Sequence, residues 1–260
     1  MDIKEKVQRA QPVLGTHVHL SDTCITEIFA SLGYDFIWVD MEHTTLSPEQ
    51  VRSHILAAKA HGCPVIVRVP VDDLTNTKRI LEMNVDGIVF PMVKDYEHAK
   101  RLIDQTLYPP YGTRGCGPKG AVRFGIDDEP TYYKEGHLKL CRFVQIEQKS
   151  AALDAERIAS IPYLDGCVLG MHDLSGSIGR LGDVFCEENV ELAMLGVNAF
   201  KRAGKTVGVS TGATDIETLT RYHDMGINMI ACGADFSYLV DGARHALANQ
   251  NAVWHKDETD

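Results

Sequence analysis

The stretch Cys141-Arg142-Phe143-Val144-Gln145-Ile146-Glu147, with the later Gly166-Cys167-Val168-Leu169-Gly170-Met171-His172-Asp173-Leu174-Ser175, decides the fold. Each half opens on a short apolar run that reads as a buried strand. In each a carboxylate stands where the run stops, Glu147 after Cys141 to Ile146 and Asp173 after Gly166 to Leu169. The two acids are twenty-six residues apart, and the helix-like stretch Ala151 to Ile161 lies between them. That spacing suits one βαβ unit, whose parallel strands end side by side, roughly 5 Å apart.

Outward from this unit, the same alternation of apolar run and amphipathic stretch recurs along the chain. The runs are Pro12 to His19, Tyr34 to Asp40, Pro64 to Pro70, Asp86 to Pro91, Cys141 to Ile146, Gly166 to Leu169, Thr206 to Ser210 and Asn228 to Cys232. Helix-like stretches follow at Thr23 to Leu32, Pro48 to His61, Leu74 to Met83, Asp95 to Thr106, Ala151 to Ile161, Asn189 to Ala203, Asp215 to Met225 and Asp235 to Ala248. Ser47 before Pro48 reads as a helix cap with an N1 proline, and Gly33, Gly62 and Gly204 stand where a glycine stops a helix. Eight strand-helix pairs in 260 residues predict one α/β domain, residues 1–260, folded as a (β/α)8 TIM-type barrel. The competing architecture, a doubly wound open sheet, lacks its G-x-G-x-x-G after the first strand. One long connection, Tyr108 to Lys139, breaks the rhythm, and its length marks a functional loop. The polar tail from Asn249 to Asp260 is expected to fray, with Trp254 as a docking contact.

At 44% hydrophobic and 24% charged, the chain has the composition of a globular protein. Its net charge of −10 and the absence of a Lys/Arg cluster with interleaved aromatics argue against nucleic acid as a partner. Met1 to Lys6 lacks the apolar core of a signal peptide, and no apolar stretch approaches the roughly 18 residues that span a bilayer. A soluble cytoplasmic protein without a membrane partner is the expectation. Seven scattered cysteines with no C-x-x-C argue against a disulfide framework or zinc ribbon. His54, His61, His98, His137, His223, His245 and His255 fall mostly on amphipathic faces or loops and read as solvated.

Chemistry in such a barrel belongs at the C-terminal strand ends. The reactive residues there are His17 and His19 in the first strand, Asp40, Glu42 and His43 at the second, Arg68 in the third, Glu147 after the fifth, and His172 and Asp173 after the sixth. Glu147 reads as a ligand or as an ion-pair partner of Lys149; Asp173 reads as a ligand or as a cap of a short helix. As a pair without cysteine they suit Mg²⁺, Mn²⁺ or Co²⁺, with positions left open for a chelating oxygen substrate. Gln145 shares the strand face of Glu147 and can hydrogen-bond a water there. Arg68, inside an apolar strand, must meet an anion, either a structural carboxylate or a substrate oxyanion. His43 follows Asp40 and Glu42, and a neighbouring carboxylate would orient its imidazole as a general base.

At Glu42-His43, Arg68-Val69-Pro70, Tyr108-Pro109-Pro110-x-Gly112-x-Arg114-Gly115, Gln145-Ile146-Glu147 and Gly170-x-x-Asp173-Leu174-Ser175 the chain resembles the HpcH/HpaI aldolases, metal-dependent class II pyruvate aldolases. The resemblance implies a barrel assembled as a homo-oligomer, a hexamer built from dimers that exchange a C-terminal helix. It implies cleavage of a 4-hydroxy-2-oxo acid to pyruvate and an aldehyde through an enolate. It further implies Glu147 and Asp173 as ligands of a divalent cation, Arg68 on the pyruvate carbonyl or enolate oxygen, His43 as the base and Asp40 as an acid of the same loop. Glu82 falls where the family presents an acid to a neighbouring subunit's histidine, and the backbone after Gly170 would face the substrate carboxylate. Gln145, Met171, His172 and Asp173 complete the substrate-binding set. Met171 and His172 stand where many members have Pro-Ala, and His17 stands where the heptanedioate aldolase has a tryptophan.

Rival readings come from other residues. His17-x-His19 resembles the zinc pair of amidohydrolases, with Asp235 after the last strand and His172 as a further ligand, which would make the protein a hydrolase. A CoA-ester lyase of the citramalyl type is nearer in chemistry, but no basic patch for the nucleotide is visible. A non-catalytic 2-oxo-acid binder is the third reading.

Overall fold

The computed structural model describes residues 2–255. Eight parallel strands close into a barrel in chain order. They are β1 Val13–Val18, β2 Phe36–Asp40, β3 Val65–Arg68, β4 Gly87–Phe90, β5 Cys141–Ile146, β6 Gly166–Leu169, β7 Thr206–Thr211 and β8 Met229–Ala234. The helices are α1 Ile3–Gln8, α2 Thr23–Leu32, α3 Pro48–Ala60, α4 Leu74–Leu81, α5 Tyr96–Asp104, α6 Glu129–Lys134, α7 Lys149–Leu153, α8 Ala155–Ala159, α9 Met171–Gly176, α10 Glu187–Arg202, α11 Ile216–Asp224 and α12 Asp235–Trp254. The fold is the predicted (β/α)8 barrel.

Two cores follow from the alternation of side chains along each strand. Inward-facing Phe36, Trp38, Ile66, Val89, Phe143, Val168 and Met229 fill the barrel, and Ile3 and Val7 of α1 join them. Outward-facing Ile37, Val39, Val67, Ile88, Val144 and Leu169 form the second core with the helices. Ser47 caps α3 through a reciprocal box with Gln50, with Pro48 in the first turn as expected.

Several expectations needed correction. The Ala151 to Ile161 stretch is two short helices, α7 and α8, because the chain turns at Asp154, whose carboxylate accepts the Tyr96 N–H at 2.8 Å. The tail does not fray at Asn249: α12 runs on to Trp254, and the remainder of the expected tail, 256–260, lies outside the described residues. The long connection carries structure of its own, with 3-10 turns Gly120–Gly125 and Gly136–Lys139 flanking α6. It is bound to the end of α4, where Arg114 pairs with Glu82 at 2.8 Å and the Lys119 N–H reaches the same carboxylate. His54, His98 and His137 are buried rather than solvated, His54 against Thr26 Oγ1 at 2.7 Å and His98 against Asp72 at 2.7 Å. No described helix is long and apolar enough to cross a membrane.

Candidate functional site

Strand register assembles the polar layer at the C-terminal mouth. Asp40 and Arg68 end β2 and β3 and stand opposite one another in the ladder. Asp40 is fully buried and takes a bidentate contact from the guanidinium, Nε to Oδ1 at 2.8 Å and Nη2 to Oδ2 at 2.5 Å. The remaining nitrogen, Nη1, faces Glu42 at 3.1 Å and Gln145 Oε1 at 3.4 Å. Trp38 lies under the fork, its ring centroid 5.7 Å from Cζ. Burial alone would push Asp40 up, but the hydrogen bonds and charge of Arg68 outweigh it and hold the carboxyl below its usual range.

Gln145 joins this pair to the fifth strand by donating to Glu147 Oε2 at 2.8 Å. Glu147 Oε1 accepts the Met92 N–H at 2.5 Å, and Met92 adopts a left-handed backbone (φ 52°). Across the β5–β6 edge Gly170 lies against the carboxylate, where a Cβ would come within 2.2 Å of Oε2. Only glycine leaves Glu147 room at that edge. Burial is the main cause that pushes Glu147 up to about 7; the Met92 N–H opposes it, and the charges of Glu42 and Asp173 add to it. Glu42 is raised as well, by burial first, with Asp40 and Asp173 contributing.

Asp173 is exposed in the first turn of α9, with Gly170 at the cap position. Lys149 pairs with Glu188 rather than with Glu147. The mouth therefore gathers Asp40, Glu42 and Glu147 around one guanidinium, with Asp173 near enough to act on Glu42 and Glu147. Burial first, and this negative charge second, keep Glu147 reluctant to ionise, and a divalent cation would relieve both. Glu147 and Asp173 fit as its protein ligands, with Gln145 orienting the first of them.

The other predicted residues are placed as follows. His43 is largely exposed, with Nε2 3.7 Å from Glu42. His172 is exposed on α9 beside buried Met171. Glu82 lies at the end of α4, where its carboxylate is taken by Arg114 and the Lys119 N–H rather than by the mouth residues. Burial pushes His17 down to about 4, and both ring nitrogens are taken, Nδ1 by the Gly233 carbonyl at 2.6 Å and Nε2 by the Ser210 hydroxyl at 2.8 Å. The zinc pair is therefore not formed, and among the described residues no group of three or more His, Cys, Asp or Glu is placed to hold a metal by itself. The Met92 N–H escaped the sequence reading because a main-chain donor leaves no trace in residue type.

The same chain is similar to known proteins over almost its whole length. A hydroxypyruvate/pyruvate aldolase of Delftia acidovorans is 31% identical over 98% of this chain and 94% of its own. A 4-hydroxy-2-oxovalerate aldolase of Novosphingobium aromaticivorans is 32% identical over 92% and 90% respectively. A crystal structure of an HpcH/HpaI aldolase/citrate lyase family protein from Burkholderia cenocepacia superposes with a TM-score of 0.87 at 29% identity, covering 96% of this chain and 98% of that one. The HpcH/HpaI aldolase/citrate lyase family model matches residues 14–242, and the chain belongs to that family.

Proposed function

We propose that this aldolase is a divalent-metal-dependent carbon-carbon lyase that cleaves a 4-hydroxy-2-oxo acid to pyruvate and an aldehyde, and runs the reverse addition. One observation carries the reading: the buried Glu147 carboxylate, crowded by Glu42 and Asp173, faces the Arg68 fork through Gln145.

Glu147 and Asp173 would hold Mg²⁺, Mn²⁺ or Co²⁺, and such an ion supplies Lewis-acid withdrawal of charge from the 2-oxo group. Arg68 supplies N–H donors to the same oxygen, where negative charge develops. Removal of the C4 hydroxyl proton lets its electrons form the aldehyde carbonyl. The C3–C4 bond then breaks, and its electron pair passes into the enolate of pyruvate. His43, on the open side of the mouth beside Glu42, is placed to take that proton. A proton delivered to C3 completes pyruvate. Asp40 keeps the guanidinium aimed, Trp38 supports it from below, and the backbone from Gly170 to Asp173 with Met171 and His172 faces the rest of the substrate. Glu82 acts in this scheme only if a second subunit approaches the end of α4.

The assembly reading, a homohexamer built from dimers that exchange α12, is supported by Leu239, Val240, Leu247, Val253 and Trp254, all exposed on that helix in the single chain. Light scattering of the full chain against one truncated before Asp235 tests it; equal masses would sink it.

The test of function is pyruvate release from a panel of 4-hydroxy-2-oxo acids by EDTA-stripped protein resupplied with Mg²⁺, Mn²⁺, Co²⁺ or Zn²⁺. Metal-restored release is expected. Silence across the panel with metal bound would turn the reading toward a 2-oxo-acid binder.

A further inference from the structure

His19 is used by none of the chemistry above, yet it is wedged between two buried carboxylates at the mouth. Its Nε2 lies 3.6 Å from Asp40 Oδ2 and its Nδ1 3.6 Å from Asp235 Oδ1. Both carboxylates are at most 1% exposed. The Nδ1 atom is buried and makes no hydrogen bond. The ring is not adrift: Asp235 Oδ2 accepts the main-chain N–H groups of His19 and Leu20 at 2.9 and 2.8 Å, and Phe236 packs edge-on at 5.2 Å. A donor-capable ring held a few tenths of an ångström beyond hydrogen-bond range of two buried anions is poised, not satisfied.

The oxygen it faces is the informative detail. Asp40 Oδ2 is the atom that Arg68 Nη2 holds at 2.5 Å. In the resting fork Nε and Nη2 are committed to Asp40 while Nη1 is shared between Glu42 and Gln145. One N–H of Nη2 is left outside these contacts, and turning the guanidinium to bring it onto a substrate oxygen loosens the bidentate hold on Asp40. We propose that His19 is a positioning residue that takes over Asp40 Oδ2 and so releases Arg68 Nη2 toward the developing enolate oxygen. Asp235, at the first turn of α12, steadies the ring from the opposite side. The line Asp235, His19, Asp40, Arg68 crosses the mouth from β8 to β3, and the carboxylate of Asp40 is satisfied whichever of its two neighbours holds it. The role rests on the aldolase reading for its consequence but not for its geometry.

Two measurements separate those layers. In metal-free protein carrying ¹⁵N-arginine, rotation about the Nε–Cζ bond of Arg68 reports how firmly Nη2 is held. It should slow several-fold in His19→Phe, which keeps a ring against Phe236 but offers no donor, and recover in His19→Gln. In steady-state cleavage, His19→Phe should lower kcat about tenfold with KM within twofold of the wild type, because the released donor serves the transition state, and His19→Gln should recover most of that loss. Unchanged Arg68 rotation in His19→Phe overturns the proposal, and so does a loss of activity carried by KM alone. Since the rotation measurement needs neither metal nor substrate, a wild-type protein that makes no pyruvate would count against the aldolase reading and leave the sharing of Asp40 to be decided by the spectrum.

Discussion

Arg68, last in β3, and Arg142, second in β5, are both buried strand arginines, and they meet opposite kinds of partner. Arg68 is gripped by Asp40 and faced by Glu42, so its pKa rises although burial alone would lower it. Arg142 is fully buried and its hydrogen bonds go to neutral oxygens: Thr106 Oγ1 at 2.5 Å, the Leu140 carbonyl at 2.9 Å, the His137 carbonyl at 2.6 Å and the Thr106 carbonyl at 3.5 Å. Burial drags it down to about 10, against the pull of Asp165. Dipoles are enough to fix a guanidinium as a clip that ties the end of the long connection to the barrel. Carboxylates shared among several neighbours make one that can be re-aimed. A buried arginine is thus a sign of function only when its partners are charged and negotiable.

The largest test of that distinction goes through the carboxylate at the far end of the Arg68 chain. Glu147→Gln keeps the shape and the hydrogen bond from Met92 but removes the charge, so metal-dependent pyruvate release should fall by about 10³-fold or more while the thermal midpoint holds or rises. Asp173→Asn should follow it. Activity surviving in both variants would remove the metal pair from the mechanism. Next in size is the crossed pair Arg68→Lys and Arg142→Lys. Arg68→Lys should cost about 10²-fold in kcat with little change in stability, because an ammonium cannot span Asp40, Glu42 and Gln145 at once. Arg142→Lys should leave kcat per folded molecule near the wild type and lower unfolding free energy by about 2 kcal/mol, from carbonyl groups left without donors. If the two variants lose activity alike, the two arginines do not differ as argued.

Sequence reasoning separated these two arginines unequally. The barrel was legible because every buried strand is a short apolar run closed by a turn, and parallel strands buried on both faces leave few other ways to write it. Arg68 stood out as a guanidinium inside an otherwise apolar strand, where it had to meet an anion. Arg142 did not, because nothing in residue type shows that a strand arginine will be met by carbonyls of a distant loop. The same blindness covers Met92, which acts through its N–H, and Gly170, whose necessity shows only when the Glu147 carboxylate is seen against its Cα. Helix ends were read less well than helices: the break at Asp154 follows a tertiary partner, and α12 extends to Trp254 with apolar residues that stay exposed among the described residues. The burial of His54, His98 and His137 was missed for a related reason, since a histidine on an amphipathic stretch looks alike whether it faces water or a threonine hydroxyl.

The titration of the mouth sharpens the comparison further. In the folded metal-free protein Glu147 binds its proton up to about pH 7, against 4.5 for a free glutamate side chain, so this group makes stability fall as pH rises through that interval. His17 is held near 4 against 6.5, so it makes stability rise with pH over nearly the same window and be lost as pH falls. Each slope is worth on the order of 3 kcal/mol, and in the wild type they oppose one another. Denaturant melts of metal-free protein between pH 4.5 and 7 should therefore show little net slope from this pair. Removing Glu147 as Glu147→Gln should leave a rising slope, and removing His17 as His17→Phe a falling one. Identical slopes in the two variants would show that the mouth charges are not the ones setting acid stability.

The smallest effect belongs to the quieter arginine. Thr106, fully buried behind α5, accepts the Arg142 Nε–H through its hydroxyl, which in turn donates to the Ile103 carbonyl at 2.7 Å. Thr106→Val is nearly isosteric, so packing is kept while one donor of a buried cation loses its partner; the Ile103 carbonyl keeps the Thr106 main-chain N–H at 2.9 Å. The cost should be about 1–2 kcal/mol of unfolding free energy, read from denaturant midpoints at constant m-value. The kinetic constants should not move, since Arg142 serves the side of the barrel and not its mouth. A change in kcat from so remote a hydroxyl would mean that the long connection tied down by Arg142 reaches the chemistry after all, and the division between a clip and a re-aimable guanidinium would have to be redrawn along that loop.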